Sequence, residues 1–562
     1  MLDKIKKITS VQASIIIVVI GIITYFRGLF NPFIADDISQ IVNNIPVHSI
    51  KNFFLFFTGG TYYNASSMKL LSGIYYRPLM TVTYSLLYTL FGTHTFAYHA
   101  LQLVLFIGST ILIFLIFKFF FNPALSLFLS LVFLVHPINS QIVYAIPSMQ
   151  EVLMSFFGLI AIYILIRFSS IKSLFIVALF LFLSLLSKET AIAYILMAVI
   201  YLIFFDRNRL KSFITIMVLP VISYLVLRIS AVGLDKHMNC APIINLNLIS
   251  RLMTVPSIIL FYITKFIFPL KLATAYYWVY PKFSFEHVLV PLLIDTLIFI
   301  LFIYLGVVIY KKLPLDQFLI FIFFAVWAGV GLFLDLQLIP LDMTACETWF
   351  YFSMVGVLGM IGVIIAVFPP KIKPLWILLI AFIIIGSLGL RSSFRAHDYR
   401  SQYTLAFSNI AVTKDDYLSY DDLSQYYINQ RNYNEAVTYA ELSINAFPSF
   451  QAYNTLGEIY FQLGDYKDAQ YADASALHIN DMESEVWENF ALAEILDNDN
   501  QPSLQSISAA LKLWPQDGIL WYDYAILEYR INSYENAKNA LSTAERYGNF
   551  NPVLYKHYAY KW

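Results

Sequence analysis

The sequence predicts an all-α protein in which a polytopic membrane unit is followed by an α-solenoid of helical repeats. Its 562 residues are 59% hydrophobic and only 13% charged, with a mean hydropathy of +0.68, far from the balance of a soluble globular protein. Residues 1–411 carry 27 Lys and Arg against 14 Asp and Glu, whereas residues 412–562 carry 9 against 22. An apolar, basic body is therefore joined to a polar, acidic one near residue 400.

The apolar body contains recurrent runs that are long enough, or nearly long enough, to cross a bilayer as helices. These runs are residues 11–30, 96–121, 123–136, 142–168, 171–187, 189–205, 212–229, 251–268, 287–310, 315–334, 348–368 and 373–390. The first run follows a basic start and has no small-residue cleavage site. We therefore expect an uncleaved first span there and not a signal peptide.

Basic residues in the short connecting loops predict the orientation, because Lys and Arg favour the cytoplasmic side. If the run 251–268 does not cross, every basic cluster is cytoplasmic: Lys4/Lys6/Lys7, Lys118, Arg167/Lys172, Arg207/Arg209/Lys211, Lys311/Lys312 and Lys371/Lys373. This arrangement has about eleven spans, with the N-terminus inside and residue 391 onward outside. A twelve-span alternative puts Lys311 and Lys312 on the wrong side.

This topology predicts a membrane domain over residues 1–395, with long outer loops at 31–95 and 230–286. A linker over 396–411 then leads to a repeat domain over 412–562 on the non-cytoplasmic side. We expect Cys240 and Cys346 to be free thiols, because two cysteines make no disulfide framework. The Lys-, Ile-, Asn- and Phe-rich composition favours a prokaryotic plasma membrane over the endoplasmic reticulum, and we expect no nucleic-acid partner.

The acidic C-terminal body repeats with the period of tetratricopeptide helix pairs. The segment YNTLGEIYFQLGDYKDAQYADASALHIN shows the pattern of aromatic, Gly and Ala positions that lets two helices approach closely. Equivalent aromatic positions are Tyr420, Tyr453, Trp487 and Trp521, at spacings of 33, 34 and 34 residues. About four such repeats bury a continuous core and leave a concave face. We expect that face to hold an extended polypeptide; a rigid spacer or a dimerisation surface is the alternative.

Two adjacent carboxylates, Asp36 and Asp37, stand in NPFIADDISQIVNN directly after the first predicted span. A helix N-cap needs only one Asp. Two acids just outside a span favour a catalytic base, or a metal or phosphate-bridging site. If the protein uses a divalent cation, Mg or Mn, we expect these two residues to be its ligands.

A cationic position follows in YYRPLMTVTYSLLYTLFGTHTFAYHALQ. Pro78 is expected to start a helix at its first position, with Arg77 directly before it. Arginine at a membrane interface can extend to lipid headgroups, and it is also the side chain suited to bidentate phosphate binding. His94 and His99 flank the next span, and we assign His99 to the substrate site; a structural role is the alternative.

Four further ionisable residues lie at predicted outer ends of spans, and a fifth, Glu151, lies inside one. The segment HPINSQIVYAIPSMQE contains His136 and Glu151, LSKE contains Lys188 and Glu189, and ACETWFYF contains Glu347. An ionisable group within a span is a candidate functional residue, because burying it unpaired is costly. The alternatives are a Lys188–Glu189 surface pair and helix capping by Glu347.

The order of these motifs resembles the transmembrane and tetratricopeptide-repeat O-mannosyltransferases and their prokaryotic relatives, within the GT-C membrane glycosyltransferases. The resemblance lies in the acid pair, YYRPL followed by YH, HPI with a later Glu, LSKE, the P…E.WFYF..VG pattern and the repeat tail. It covers nearly the whole chain. The order of the motifs is more specific than any one of them.

This resemblance implies transfer of a sugar, typically mannose, from a polyprenyl- or dolichyl-phosphate carrier to an acceptor hydroxyl on the non-cytoplasmic side. Asp36 or Asp37 would be the base, and Arg77 would bind the lipid phosphate. The donor and acceptor pocket would be shaped by His136, Glu151, Lys188, Glu189 and Glu347.

The chain departs from the family pattern at three positions. Gln102 stands where relatives often have Asn, Gln141 where the HP motif usually continues to Glu, and Thr348 where the Glu is commonly followed by Arg. Thr348 thus removes an expected cationic partner for phosphate or carboxylate.

The carboxylate arrangement favours an inverting, single-displacement transfer. Retaining enzymes need two carboxylates about 5 Å apart across the sugar, and adjacent residues in one loop do not supply that geometry. Two other glycosyl acceptors, a glycan and a lipid, stay open beside a protein Ser or Thr. A transporter or flippase of a lipid-linked sugar and a non-catalytic scaffold are the alternatives from other classes. Acids crowded at one face, without symmetry between two halves, are atypical of such a transporter.

Overall fold

The computed structural model describes residues 8–63, 71–233, 241–312, 314–481, 484–497 and 500–548. Cys240 and the basic residues Lys4, Lys6 and Lys7 lie outside these ranges. The chain forms two compact units, one of residues 1–237 and 246–405 and the other of residues 238–245 and 406–562. Both units are helical, and a single antiparallel hairpin pairs β1 (Tyr62–Tyr63) with β2 (Leu71–Ser72) in the described part. The predicted all-α class is confirmed.

The first unit and the segment that follows it are built from fifteen α-helices in the described ranges. They are α1 (Ser10–Tyr25), α2 (Pro78–Phe91), α3 (Thr95–Phe117), α4 (Pro123–Val135), α5 (Ser140–Tyr144), α6 (Met149–Arg167), α7 (Ile171–Ser187), α8 (Ile192–Phe205), α9 (Arg207–Val232), α10 (Leu248–Ile267), α11 (Val290–Lys312), α12 (Leu315–Asp335), α13 (Phe350–Val367), α14 (Pro374–Phe394) and α15 (Gln402–Ile410).

Local sequence sets where these helices begin. Thr9 and Gln12 form a capping box at the start of α1, since each side chain accepts from the other's backbone N–H. The prediction that Pro78 opens a helix is confirmed, because α2 starts at Pro78. At the start of α4 the Asn122 side chain accepts from the Leu125 N–H.

Nine helices within the described residues are long and apolar enough to cross a membrane. A tenth span is possible if the pair Pro123–Val135 and Pro137–Tyr144, bent by 52°, is counted as one. The runs predicted at 171–187 and 189–205 form shorter apolar helices. Leu248–Ile267 meets the length and composition of a span, so its predicted failure to cross stays a prediction. The chain is thus a multi-pass membrane protein.

Close helix contact through small residues holds part of the membrane unit together. At Gly356 on α13, an added Cβ would lie 2.3 Å from the backbone N of Ala328 on α12. Only a residue without a side chain allows that approach, and close backbone packing is the main source of helix association in lipid. Trp327 and Phe324, both buried, fill the adjoining space.

The second unit is a solenoid of four helix pairs in the described ranges. The pairs are α16 (Tyr417–Asn429) with α17 (Tyr433–Ala446), α18 (Phe450–Leu463) with α19 (Tyr466–Ile479), α20 (Ser484–Leu496) with α21 (Asn500–Leu513), and α22 (Gly518–Arg530) with α23 (Tyr534–Tyr547). Each predicted aromatic position falls in the first helix of its pair, so the tetratricopeptide period is confirmed.

Several carboxyl groups of this solenoid are buried, and Asp473 is one of them. Asp473 on α19 is 1% exposed, and its Oδ1 has no hydrogen-bond partner among the described residues. Gly457 on α18 makes room for it, because a Cβ there would lie 2.0 Å from that oxygen. Burial, together with the nearby Glu458 carboxylate, raises the pKa of Asp473 to about 8.

We predict that the stability of the second repeat falls as pH rises. The unfolded pKa of Asp is about 3.9, so between about pH 4 and pH 8 the folded state binds a proton that the unfolded state does not. Stability is therefore greatest below about pH 4 and falls by at most about 1.4 kcal/mol per pH unit up to pH 8. Asp473→Asn should remove this dependence, as measured by hydrogen exchange of residues 457–476 in the full-length protein.

Asp468→Asn, at an exposed position on the same helix, is the matched control and should keep the wild-type slope. A gain in protection from Asp473→Asn that is equal at pH 5 and pH 8 would show that the buried carboxyl does not titrate as stated.

Candidate active site

The two adjacent acids lie in very different environments. Asp36 is exposed, whereas Asp37 is 2% exposed and its Oδ2 accepts a hydrogen bond of 2.9 Å from the Ile34 N–H. Ala35, just before them, has a positive φ of 51°, and its N–H donates to Gln402 Oε1 at 2.7 Å. Asp37 therefore stabilises the turn, and the turn presents Asp36 to solvent.

The Asp36 carboxyl group reaches solvent but lies among protein atoms. The resulting desolvation raises the pKa of Asp36, the charge of Asp342 raises it further, and Arg77 opposes both. Desolvation also raises the pKa of Asp37, with the Asp36 charge adding to it and the Ile34 N–H opposing it. A raised carboxyl pKa makes Asp36 a stronger base than an ordinary surface Asp.

Arg77 lies just before α2 with its side chain 10% exposed. Its guanidinium carbon lies 4.1 Å from the centroid of the Tyr75 ring, and its Nη2 lies 3.8 Å from Glu189 Oε1. Its Nε has no hydrogen-bond partner among the described residues. Burial lowers the pKa of Arg77, but Glu189 and the other negative groups around it outweigh burial and raise it. The guanidinium is thus charged, only loosely paired, and equipped to bind an anion.

Lys188 and Glu189, between α7 and α8, form ion pairs with different partners. Lys188 Nζ donates to Glu151 on α6, with both side chains buried, whereas Glu189 pairs with Arg77. The alternative of a self-contained Lys188–Glu189 pair is therefore wrong. The physical reason is that an isolated buried Glu151 would cost several kcal/mol, and Lys188 offsets that cost.

A further carboxylate, which we did not single out in the sequence, completes this group. Asp342 Oδ2 accepts a hydrogen bond from the Tyr75 hydroxyl, although the two residues are 267 positions apart. Asp342 lies in LIPLDMTACETW, only a few residues before Glu347. The only sequence signal for a role of Asp342 is that it is an acidic residue in a connecting loop.

Glu347 belongs to a second buried group. Its Oε2 pairs with Arg395, and its Oε1 accepts from the Tyr276 hydroxyl at 3.1 Å. The side chains of Glu347 and Arg395 are 0% and 1% exposed. Arg395 comes from the end of α14 and supplies the cation that Thr348 does not. Thr348 Oγ1 instead lies 3.2 Å from Cys346 Sγ.

Backbone groups occupy the surroundings of both predicted histidines. His136 Nε2 lies 2.9 Å from the Phe266 carbonyl oxygen, and its Nδ1 accepts from the Ile138 N–H at 3.2 Å. His99 is 1% exposed and lies beside the backbone of Asn31 and Val143. The structure does not bring either imidazole into the group around Arg77.

Gln102 and Gln141, which depart from the family pattern, both donate hydrogen bonds to backbone carbonyls. Gln102 Nε2 donates to the carbonyls of Ala145, at 2.8 Å, and of Ile142. Gln141 Nε2 donates to the Thr274 carbonyl at 3.2 Å. Both amides thus tie backbone segments together.

Among the described residues, no group of three or more His, Cys, Asp or Glu side chains is arranged to hold a metal ion. Asp36 and Asp37, the ligands expected for Mg or Mn, diverge because Asp37 points back to the Ile34 N–H.

Comparisons with known proteins match parts of the chain. Residues 77–231 match the family model described as dolichyl-phosphate-mannose-protein mannosyltransferase. The match includes Arg77, Glu151, Lys188 and Glu189. The chain is 30% identical over 213 residues to Protein O-mannosyl-transferase F38B6.6 of Caenorhabditis elegans, over 37% of this chain and 30% of that protein.

A human relative gives a similar result. Over 148 residues the chain is 29% identical to Protein O-mannosyl-transferase TMTC3 of Homo sapiens, which is 26% of this chain and 16% of that protein. The chain therefore spans less than a third of the length of these relatives. Among solved structures, the tetratricopeptide-repeat protein YrrB aligns with 33% of this chain and 92% of its own, at 18% identity and a TM-score of 0.26.

The resemblance predicted from the order of the motifs is confirmed over part of the chain. Over the matched part, the chain is similar to protein O-mannosyl-transferases.

Proposed function

We propose that this protein is a GT-C glycosyltransferase of the membrane that moves a sugar, mannose by preference, from a polyprenyl- or dolichyl-phosphate donor to a Ser or Thr hydroxyl of a polypeptide. Two observations carry the proposal: Asp36 is an exposed carboxylate whose pKa responds to the charge of Arg77, and the Nε of Arg77 has no hydrogen-bond partner among the described residues. The family and the relatives that part of the chain resembles are named as protein mannosyltransferases, which supports the same reaction class.

The proposed chemistry divides the work between these two side chains. Asp36 accepts the proton of the acceptor hydroxyl while its oxygen attacks the anomeric carbon. The bond from that carbon to the carrier phosphate breaks, and Arg77 stabilises the negative charge that develops on the leaving phosphate. Asp37 is buried and accepts from the Ile34 N–H, so we propose that it does not act as a nucleophile beside Asp36. We therefore propose inversion in a single displacement.

The buried pairs form the walls of this site in the proposal. Lys188 pairs with Glu151 and is adjacent in the chain to Glu189, which pairs with Arg77. The Glu347–Arg395 pair, with Tyr276, holds the loop that precedes α13. We assign these residues to shaping the donor and acceptor pocket, and His99 and His136 to supporting its backbone.

The side of the membrane and the role of the repeats are further parts of the proposal. The distribution of basic residues supports a non-cytoplasmic site with the repeat domain, residues 412–562, on the same side. The net negative charge of that domain suits acceptor segments with basic flanks. We propose a prokaryotic plasma membrane as the location of the protein.

Replacing each of the two adjacent acids in turn should distinguish their roles. We predict that Asp36→Asn lowers kcat for sugar transfer about 10²- to 10⁴-fold, because general-base catalysis contributes that much. Asp37→Asn keeps an oxygen acceptor for the Ile34 N–H, so its loss should be about tenfold or less, on the scale of one hydrogen bond. The assay is transfer from a polyprenyl-phosphate sugar to a peptide by the purified full-length protein. Equal losses in the two variants would contradict the assignment, and movement of the donor across vesicles without transfer would support the flippase.

Replacing the guanidinium tests phosphate binding. We predict that Arg77→Lys raises the donor KM about tenfold, because Lys keeps the charge but cannot bind phosphate through two parallel hydrogen bonds. Arg207→Lys, at an exposed position on α9, is the matched control and should leave the donor KM unchanged. An unchanged donor KM in Arg77→Lys would remove Arg77 from the donor site.

The repeats are tested by separating acceptor from donor. Deletion of residues 412–562 should raise the KM for a protein acceptor about tenfold or more, since a tethered binding site raises the effective concentration of the acceptor. Hydrolysis of the donor by water should stay near the wild-type rate. An equal loss of both activities would argue against acceptor recruitment.

A further inference from the structure

Asp342 accepts a hydrogen bond from Tyr75, whose ring lies against Arg77, the phosphate-binding residue of the proposed site. We propose that Asp342 is a positioning residue: through Tyr75 it holds the Arg77 guanidinium in place, and its negative charge acts on Asp36. This inference rests on the proposed function for the roles of Asp36 and Arg77.

The loop that carries Asp342 is braced from inside. Gln337, 0% exposed and at a positive φ of 59°, donates from Nε2 to the carbonyls of Met343 and Thr344 at 2.8 and 3.0 Å. Its Oε1 accepts from the Leu341 N–H at 3.0 Å. One buried amide therefore spans the loop and fixes the position of Asp342.

A second attachment fixes the far end of the same loop. The Thr344 N–H donates to the Tyr276 carbonyl at 2.9 Å, and Tyr276 and Ala345 form an antiparallel bridge. Since the loop is held at both ends, Asp342 is a rigid acceptor for the Tyr75 hydroxyl.

Tyr75 transmits this position to Arg77. Its hydroxyl donates to Asp342, and the face of its ring lies 4.1 Å from the guanidinium carbon. The ion pair with Glu189 at 3.8 Å is too long for a hydrogen bond, so it restrains Arg77 only weakly. The Tyr75 ring therefore restrains the guanidinium together with Glu189, while the Arg77 Nε has no hydrogen-bond partner among the described residues.

The charge of Asp342 also acts on Asp36. Its carboxylate raises the pKa of Asp36 in addition to desolvation, and Arg77 opposes it. The other titratable groups that interact with Asp36 are Tyr62, Tyr84 and Asp37. Among the described residues, Asp342 and Asp37 are thus the acidic side chains whose charges interact with Asp36. Removal of its charge lowers the pKa of Asp36, so the base becomes deprotonated at lower pH.

Two substitutions separate the hydrogen bond from the charge. Asp342→Asn keeps an oxygen that accepts from Tyr75 but loses the charge, whereas Tyr75→Phe keeps the charge but loses the hydrogen bond. In Asp342→Asn, the acidic limb of the kcat/KM profile should move to lower pH. In Tyr75→Phe that limb should stay, and the donor KM should rise about two- to tenfold, the value of one hydrogen bond. Asp316→Asn, at an exposed position on α12, should change neither.

A second readout does not need activity. Carbodiimide labels protonated carboxyl groups, so the labelling of Asp36 in the full-length protein, followed by mass spectrometry, falls as pH rises through its pKa. This fall should occur at lower pH in Asp342→Asn than in Asp316→Asn. Coincident curves in the two variants, or an unchanged donor KM in Tyr75→Phe, would overturn the inference. A labelling shift in a protein that transfers no sugar would support the placement of Asp342 and reject the proposed function.

Discussion

The cost of burying charge in an apolar membrane unit explains how the buried ionic side chains around the candidate site are paired. An isolated ion there costs several kcal/mol, so a buried charge persists only with a partner. Glu151 has Lys188, and Glu347 has Arg395, each pair almost fully enclosed. Arg77 departs from this rule, because its ion pair is long and one of its donors has no partner in the described part of the chain. The incompletely satisfied cation therefore indicates where a ligand charge is expected.

The turn that exposes Asp36 is strained and is stabilised by hydrogen bonds from its backbone. Ala35 adopts a left-handed conformation that costs about 1 kcal/mol or more for a residue with a Cβ. The Ile34 N–H donates to Asp37 and the Ala35 N–H donates to Gln402, and these two hydrogen bonds offset that cost. The strain is stored beside the exposed carboxylate, which is typical of sites where one side chain must be presented in a defined direction.

The candidate site also depends on contacts between segments that are distant in the chain. Asp342, Tyr75 and Arg77 form a continuous chain of contacts from a loop before α13 to the start of α2. Gln337 makes the loop rigid, so the chain of contacts has a fixed origin. This rigidity fits electrostatic catalysis, which needs charges held in position before the reaction begins.

The sequence by itself determined the helical membrane unit, the tetratricopeptide period and the residues that carry charge near the acid pair, because these follow from hydropathy, repeat spacing and local motifs. Only the tertiary structure decided which charges meet. It separated Asp36 from Asp37, joined Lys188 to Glu151, and brought in Arg395 and Asp342. The physical reason is that ion pairing acts through space and depends on helix packing and loop geometry, which adjacency in the chain does not encode.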